Sequence, residues 1–197
     1  MQPQLAQIEE DIWAKLSAAT ADSTNPWRLP VLATTDTATP RVRTIVLRDV
    51  DRATRTLFLH TDVRSPKVWH IEKQNTVGLA FYDHPSGLQL VVQGRATVHT
   101  SSHVADKHWS TTPASSRRAY LAPDRPGTPC ESPSINLPAH VAGRVPTEEE
   151  LKPARVNFAV LSVRVEHIDW LKLERDGNTR ALFDYTASIP AATWIAP

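Results

Sequence analysis

The residues best suited to bind an anion lie in one short stretch, Arg43 to Lys67, which reads RTIVLRDVDRATRTLFLHTDVRSPK. Arginine and lysine side chains bind phosphate through charge-assisted hydrogen bonds, and hydroxyl groups supply further donors. The members of this set are Arg43, Arg48, Thr61, Arg64, Ser65 and Lys67. The combination predicts a phosphate-binding site. The alternative, which the pattern leaves open, is a group of solvated charges on the surface.

Such a site requires strands followed by the start of a helix. Val42 to Val50 and Thr56 to Thr61 are rich in β-forming residues, and we expect them to pair as an antiparallel hairpin. Ser65 is a favourable N-cap and Pro66 suits the first helical position, so a helix is expected over residues 65–74. The first turn of a helix offers unpaired N–H groups and the positive end of the helix dipole, which both favour phosphate.

The spacing of Arg43 and Arg48 limits how these two arginines act together. Side chains alternate between the two faces of a strand, so residues five apart point to opposite sides. We therefore expect the two arginines to contact one ligand at different points, or across a bulge or twist in the strand.

Other common sites have no support in the sequence. It contains neither a GxGxxG nor a GxxxxGK[ST] motif, so phosphate must be bound by cations and a helix start. No GxSxG motif supports a serine hydrolase. His99 and His103 are four apart, but no third ligand is evident, so we predict no metal site. Cys130 lies between prolines without a nucleophile motif.

The composition is typical of a soluble globular protein. Of the 197 residues, 41% are hydrophobic and 22% are charged, and the net charge is +1. This balance favours neither nucleic acid nor an anionic membrane as a partner. No apolar run is long enough for a transmembrane helix, and the N-terminus lacks a signal-peptide pattern. The single cysteine fits a reducing compartment, so we expect a cytoplasmic protein.

Strand and turn patterns predict a mainly β fold with short helices. A helical stripe over residues 3–19 is followed by about eight short strands, with turns roughly every ten residues. This spacing favours an antiparallel barrel over a parallel α/β sheet. Gly94 lies inside the longest strand candidate, residues 88–100, and indicates a bulge or a close backbone approach.

The second half of the chain contains a proline-rich loop and then more strands. Residues 122–153 hold seven prolines, which exclude a continuous helix or a central strand. Residues 155–165 and 167–173 are expected to form two separate strands. We interpret residues 1–197 as one domain with this loop as an insertion.

Several of these runs together resemble the pyridoxamine 5′-phosphate oxidase family. RTIVLR (43–48) looks like the family's R-x-V-L-[LI]-[KR] strand, and FLHTDVRSPK (58–67) looks like its phosphate-binding turn. QLVVQGRA (89–96) is similar to its Q-V-x-V-x-G-x-A strand. NTVGLAFY (75–82) and VRVEHIDW (163–170) also fit.

The resemblance covers most of residues 28–105 and 156–197. It implies an antiparallel split β-barrel that binds FMN, and a homodimer with FMN at the subunit interface. It also implies a set of cofactor-binding residues. Those implied to hold the FMN phosphate are Arg43, Thr61, Ser65 and Lys67. Those implied to lie at the isoalloxazine ring are Val46 and Leu47 through their backbone, together with Arg48, Gln89 and Phe158. Arg64 is included by its position in the phosphate-binding turn.

The substrate side departs from the family. The true oxidases carry a Tyr-x-x-x-Arg-x-x-x-Ser set for the substrate phosphate, and the matching positions here are His108, Thr112 and Ser116. Loss of the arginine removes charge-assisted hydrogen bonds of about 1.5–3 kcal/mol each. The family's R-x-H pair near the C-terminus becomes Arg180-Ala181-Leu182. The chain is thus closer to the related subfamily whose substrates are mostly unassigned.

These observations predict an FMN-dependent oxidoreductase with an unknown small-molecule substrate, in which the flavin supplies the redox chemistry. Two alternatives stay open. One is a non-catalytic flavin or haem carrier or sensor in the same fold, for which His60 and His108 would matter. The other is a true pyridoxamine or pyridoxine 5′-phosphate oxidase.

Overall fold

The computed structural model describes residues 2–197, in which nine antiparallel strands form most of the regular structure. The helices are α1 (Pro3–Ala21), α2 (Pro66–Lys73), α3 (His103–Thr111), α4 (Ala114–Arg117) and α5 (Glu148–Leu151). The strands are β1 (Val31–Asp36), β2 (Thr39–Thr44), β3 (Leu47–Asp51), β4 (Thr56–Asp62), β5 (Thr76–Asp83), β6 (Leu88–His99), β7 (Phe158–Lys172), β8 (Thr179–Asp184) and β9 (Ala191–Ile195).

Helix α1 covers the sheet with the apolar stripe that its sequence predicts. Leu5, Ile12 and Leu16 recur at helical spacing and are buried in the main core. Trp13 extends the buried face and packs against Tyr185, with ring centroids 6.3 Å apart. The predicted helix over residues 3–19 is therefore confirmed.

Strand β7 organises the sheet. It has 15 residues and pairs with β6 along one edge, while its other edge is shared by β4 and then β8. The prediction of two separate strands, at 155–165 and 167–173, is wrong. Because partners on both edges satisfy the backbone of β7 throughout, its polar residues in the middle do not end the strand.

The run from Val42 to Val50 is also not one strand. It is divided into β2, which pairs with β1, and β3, which pairs with β4. In the strand order β2-β1-β5-β6-β7-β4-β3, these two segments stand at opposite ends. The chain therefore crosses from one end of the sheet to the other at Ile45 and Val46. The prediction of one strand over Val42 to Val50 is wrong because a run of β-forming residues does not show that its two halves pair with different strands.

The predicted bulge at Gly94 is confirmed. The register between β6 and β7 shifts between Gln93 and Gly94. A Cβ atom at Gly94 would lie 2.2 Å from the carbonyl oxygen of Arg164, so only glycine allows the two backbones to approach this closely.

The fold class predicted from the sequence is confirmed as a mainly antiparallel β structure with short helices. Within residues 2–197 no ladder joins β2 to β3, so the sheet is open in the manner of a split barrel. None of the helices in that range combines the length and apolar character needed to cross a membrane.

Candidate functional site

The end of β2 and the turn between β4 and α2 bring the predicted phosphate ligands together. Strand β4 ends at Asp62, and Ser65 is the residue immediately before α2. The turn is held firmly, because β4 pairs with β7 over its whole length and α2 packs on β1 and β6. Arg43 reaches the same place from β2, where it is paired with Leu32 of β1.

Lys67 points back across this turn. Its Nζ donates to Thr61 Oγ1 at 3.0 Å and to Ser65 Oγ at 2.6 Å. Burial, together with the neighbouring charge of Arg43, lowers the pKa of Lys67 to about 8. Ser65 occupies the N-cap position, but its side chain makes no capping hydrogen bond. The predicted side-chain cap is therefore wrong in detail, since the hydroxyl contacts Lys67.

Arg43 is held by neutral groups. Its Nη1 donates to Thr34 Oγ1 at 2.7 Å and to the carbonyl oxygen of Leu32 at 3.3 Å. Burial lowers the pKa of its guanidinium group. Within residues 2–197, neither Arg43 nor Lys67 forms a salt bridge with a carboxylate. The two cations thus share one partly buried site, and Asp62, which lines the same cavity, has its carboxylate bound by Arg64.

A cavity of about 520 Å³ opens beside these groups. Arg43, Thr61 and Lys67 line it together with residues from α4 and the segment that follows, among them Arg118 and Tyr120. The cavity therefore has a cationic, hydroxyl-rich part and a further lining of mixed polarity, as expected for a site that binds a small organic anion.

Arg48 lies beyond the break between β2 and β3. The register between β3 and β4 shifts between Leu47 and Asp49, so Arg48 stands at an irregularity. Its Nε is buried and has no hydrogen-bond partner in residues 2–197. Arg43 and Arg48 therefore lie on different segments. This agrees with the expectation, drawn from their five-residue spacing, that they would contact one ligand at different points. Val46 lies in the break itself, and the side chain of Leu47 is fully buried.

His60 and His108 form a pair next to the cavity. His60 Nε2 is 3.1 Å from His108 Nδ1, and the rings meet edge to face. Burial, followed by the charges of Arg48 and His108, lowers the pKa of His60 to about 3, so its ring is neutral at physiological pH. Its Nδ1 is buried and has no partner in the described residues. Nothing in the sequence marks these two histidines as neighbours, because they are 48 positions apart.

Arg64 contacts the protein itself. Its Nε and Nη2 donate to Asp62 Oδ1 and Oδ2 at 3.0 and 2.7 Å. Its Nη2 and Nη1 also donate to the carbonyl oxygens of Ala122 and Pro123, at 2.9 and 3.2 Å. The side chain is among the residues of a neighbouring surface pocket with Trp69, and it is not among the lining of the 520 Å³ cavity.

Gln89 and Phe158 are not brought to the cavity lining. Phe158 is 0% exposed and supports the cavity from behind, packed against the rings of His60 and Tyr120. Gln89 pairs with Leu171, whereas Thr61 pairs with Ala159, at the other end of β7. These two partners are twelve positions apart along β7, which corresponds to roughly 40 Å of strand.

Arg180 also stays away from the cavity. Its guanidinium group forms a two-pronged contact with Asp169, at 2.9 and 2.5 Å. His99 Nε2 lies 2.8 Å from Ser162 Oγ. Within residues 2–197 no three metal-binding side chains converge.

Sequence reasoning did not identify three residues that shape the site. Thr34 positions Arg43, and Arg118 and Tyr120 line the cavity. The weak signal available was the position of Arg118 and Tyr120 just before the proline-rich loop, because residues at the edge of a long loop often line a binding site.

The residues present fit the phosphate of FMN. A phosphate group would meet two cations that form no salt bridge within residues 2–197, and the hydroxyls of Thr61 and Ser65, which already face Lys67. These are the donor types that phosphate esters bind in proteins. Arg48, whose Nε has no partner in the described residues, is not among the residues that line this cavity.

Comparisons with known proteins agree with this chemistry. Residues 10–100 match the family model described as pyridoxamine 5′-phosphate oxidase, FMN-binding domain, which confirms the resemblance seen in the sequence. A search of curated proteins finds no match.

Solved structures share the fold at low sequence identity. A pyridoxamine 5′-phosphate oxidase-related, FMN binding protein from Nostoc punctiforme superposes with a TM-score of 0.70 at 22% identity, covering 100% of this chain and 98% of that one. PhzG from Burkholderia lata, in complex with tetrahydrophenazine-1-carboxylic acid, gives 0.68 at 14% identity, covering 98% and 92%. A protein related to general stress protein 26 from Clostridium acetobutylicum gives 0.53 at 13% identity, covering 88% and 91%.

Proposed function

Because residues 10–100 match the family model of the pyridoxamine 5′-phosphate oxidase FMN-binding domain, we propose that the protein binds FMN and acts as an FMN-dependent oxidoreductase. The observation that supports this proposal best is the pair of cations, Arg43 and Lys67, that line one cavity and form no salt bridge within residues 2–197. When bound, FMN supplies hydride and electron transfer, and the protein supplies binding, orientation and electrostatics.

The charges of the phosphate and of its proposed site balance. A phosphate monoester carries a charge of about −1.5 to −2 at pH 7, and Arg43 and Lys67 carry +2 when both are protonated. Cations removed from water without a partner are unfavourable, so an anion that neutralises both stabilises the site. Thr61 and Ser65 hold Lys67 in place for this contact.

Arg48 and the break between β2 and β3 are proposed to serve the ring end of FMN. Arg48 is half-buried near His60 and Tyr120, which both line the cavity. Val46 lies outside both strand ladders, so its backbone groups are available to a ligand. In this arrangement the phosphate of FMN contacts Arg43 before the break, on β2, and the ring contacts Arg48 after the break, on β3.

The substrate is proposed not to be pyridoxamine or pyridoxine 5′-phosphate. The residues that stand where the family's true oxidases carry Tyr and Arg are already engaged here. Thr112 Oγ1 donates to the carbonyl oxygen of His108 at 2.5 Å, and the His108 ring is paired with His60. Neither offers a cation for a second phosphate group.

We further propose a homodimer that completes the flavin site. Gln89 and Arg180, which the family resemblance associates with flavin or substrate, lie far along the sheet from Lys67 within one chain. They can reach a flavin at the cationic site only from a second copy. Val42 on β2 is 68% exposed and Tyr82 on β5 is 46% exposed, which gives that copy an apolar surface to cover.

The FMN proposal is tested by comparing FMN with riboflavin, which has the same ring and no phosphate. Flavin fluorescence is titrated with cofactor-free protein. We expect wild type to bind FMN at least tenfold more tightly than riboflavin, and Lys67→Met or Arg43→Met to remove most of that preference. Arg52→Gln is the matched control, because Arg52 pairs with Glu10 on the surface and is not among the residues that line the cavity. Equal affinity of wild type for both flavins would overturn the phosphate site.

Catalysis is tested separately on the FMN-loaded protein. Stopped-flow reduction is followed at the flavin band with a panel of donors that includes NADPH and pyridoxine 5′-phosphate. Bleaching that saturates with donor concentration supports an oxidoreductase. If no donor reduces the flavin faster than free FMN, the protein is a carrier or sensor. The exposed, unpaired Cys130 is compatible with the reducing cytoplasm that we propose as its location.

A further inference from the structure

Residues 122–147, called the strap below, have almost no secondary structure to hold them. The strap begins after the helical turn Arg118–Leu121 and ends at α5, with one short helical turn at Ala139–Val141. A segment of this length without a ladder must be held by side-chain contacts or remain mobile.

The first anchor of the strap is Arg64. One guanidinium group joins the carboxylate of Asp62, in the β4–α2 turn, to the carbonyl oxygens of Ala122 and Pro123, where the strap begins. Asp62 is buried, and its Oδ1 also accepts from the backbone N–H of Arg64 at 2.8 Å. The contacts with Asp62 already fix the orientation of the Arg64 guanidinium. Less side-chain entropy is therefore lost when the guanidinium also binds the carbonyl oxygens of the strap.

Two further contacts define the rest of the strap. Asn136 closes a loop, because its side-chain Nδ2 donates to the carbonyl oxygen of Asp124 at 2.9 Å and its Oδ1 accepts from the N–H of Asp124 at 3.2 Å. At the far end, Arg118 Nη1 donates to the carbonyl oxygen of Arg144. These hydrogen bonds therefore hold the strap to the rest of the protein at its start and near its end, and close its middle on itself.

The strap forms part of the cavity that contains Arg43 and Lys67. Pro126, Ile135 and Leu137 supply apolar lining, and Asn136 supplies one amide. Ile135 is 73% exposed, so a ligand in the cavity would remove its surface from water.

We propose that Arg64 is a positioning residue that, with Asp62, fixes the strap as the outer wall of the cavity, so that the strap is the face a substrate meets. Its side chains Pro126, Ile135 and Leu137 favour a substrate that is apolar on this side, because the amide of Asn136 is already hydrogen-bonded to Asp124. The same turn carries Asp62, Arg64, Ser65 and Lys67, so one local structure supports both the phosphate site and the wall over it. Lysine cannot replace Arg64, because one ammonium group cannot bind a carboxylate and two carbonyls in this geometry.

The contact between Arg64 and the strap is tested first without any cofactor. Cys130 is the single cysteine, it is exposed and it lies in the strap, so a nitroxide attached to it reports strap motion by electron paramagnetic resonance. We expect Arg64→Gln and Arg64→Lys to shift the spectrum toward a mobile component, and the control Arg52→Gln to match wild type. Urea unfolding verifies that each variant is folded. If Arg64→Gln does not fold, the comparison is made with Arg64→Lys. A folded Arg64 variant with the wild-type spectrum overturns the proposal.

The role of the strap as the outer wall of the cavity is tested with bound FMN as the reporter, so this second test rests on the proposed function. Quenching of the FMN fluorescence by acrylamide, a neutral molecule, measures access to the cavity. We expect Arg64→Gln to raise the quenching constant at least twofold while the Kd for FMN changes less than threefold. A loss of FMN affinity as large as in Lys67→Met would make Arg64 a phosphate ligand and refute the positioning role. If wild type binds no FMN, the proposed function fails, and the nitroxide experiment still decides whether Arg64 holds the strap.

Discussion

Lys67 offers the sharpest test of the phosphate site, because its pKa lies close to the range in which proteins are assayed. Burial and the charge of Arg43 lower that pKa to about 8 in the ligand-free protein. A phosphate group beside Nζ favours the protonated lysine and raises its pKa again. FMN affinity is therefore fully present below pH 8 and is lost as the pH rises through 8 toward the higher pKa of the complex.

The size of this effect follows from the fraction of protonated Lys67. With a pKa of about 8, roughly 90% of the side chain is protonated at pH 7 and roughly 10% at pH 9. The Kd for FMN should then rise about tenfold over this range, which is about 1.4 kcal/mol. The phosphate does not contribute, because its second pKa is near 6. Arg43 stays protonated throughout.

The assay is a titration of flavin fluorescence at pH 7, 8 and 9. Lys67→Met should bind FMN about tenfold or more weakly at pH 7, and its Kd should be nearly constant up to pH 9. Riboflavin should show no such pH dependence with either protein. Two results would refute the reasoning: a constant Kd of wild type between pH 7 and 9, or the same tenfold rise in Lys67→Met.

Three further predictions concern stability, and each is measured by urea unfolding. The pKa of His60 is lowered to about 3 in the folded state, so the unfolded chain binds the proton more tightly and stability is lost as the pH falls from 6.5 toward 3. About 2 kcal/mol should be lost between pH 7 and pH 5, and His60→Phe should reduce this slope; an unchanged slope would contradict the pKa. Gly94→Ala should cost more than about 2 kcal/mol or prevent folding, because its Cβ would meet the carbonyl oxygen of Arg164 at 2.2 Å, whereas Gly127→Ala, where nothing lies within 4 Å, should cost much less. Phe158→Ala should cost about 3–5 kcal/mol, since the ring is fully buried, and a loss below about 1 kcal/mol would show that the second apolar cluster is not packed as described.

Much of the local structure could be predicted because its causes lie within a few residues. The stripe of Leu5, Ile12 and Leu16 predicts α1, and Pro66 after Ser65 predicts the start of α2. Gly94 inside a strand pattern predicts the bulge. The phosphate-ligand candidates belong to this class too, since Thr61, Ser65 and Lys67 are six residues apart at most.

The errors in strand assignment share the opposite property. Whether β-forming residues make one strand or two depends on which strands lie beside them, as in the division of Val42 to Val50 and the continuity of β7. The sequence also suggests Arg64 as a ligand of the phosphate, because it stands in the same turn. Its partners Ala122 and Pro123 are 58 and 59 positions away, so the role proposed for it depends on where the strap passes.

The sequence by itself thus determined the type of fold, the helix start and the presence of cations and hydroxyls within one turn, because sterics and short-range hydrogen bonding act between near neighbours. Tertiary structure alone decided that Arg43 and Arg48 lie on strands at opposite ends of the sheet, that His60 meets His108, and that Gln89 lies far along β7 from Thr61. These outcomes depend on strand register and on the path of the chain between β2 and β3. Both are set by the packing of the whole sheet, which no local pattern contains.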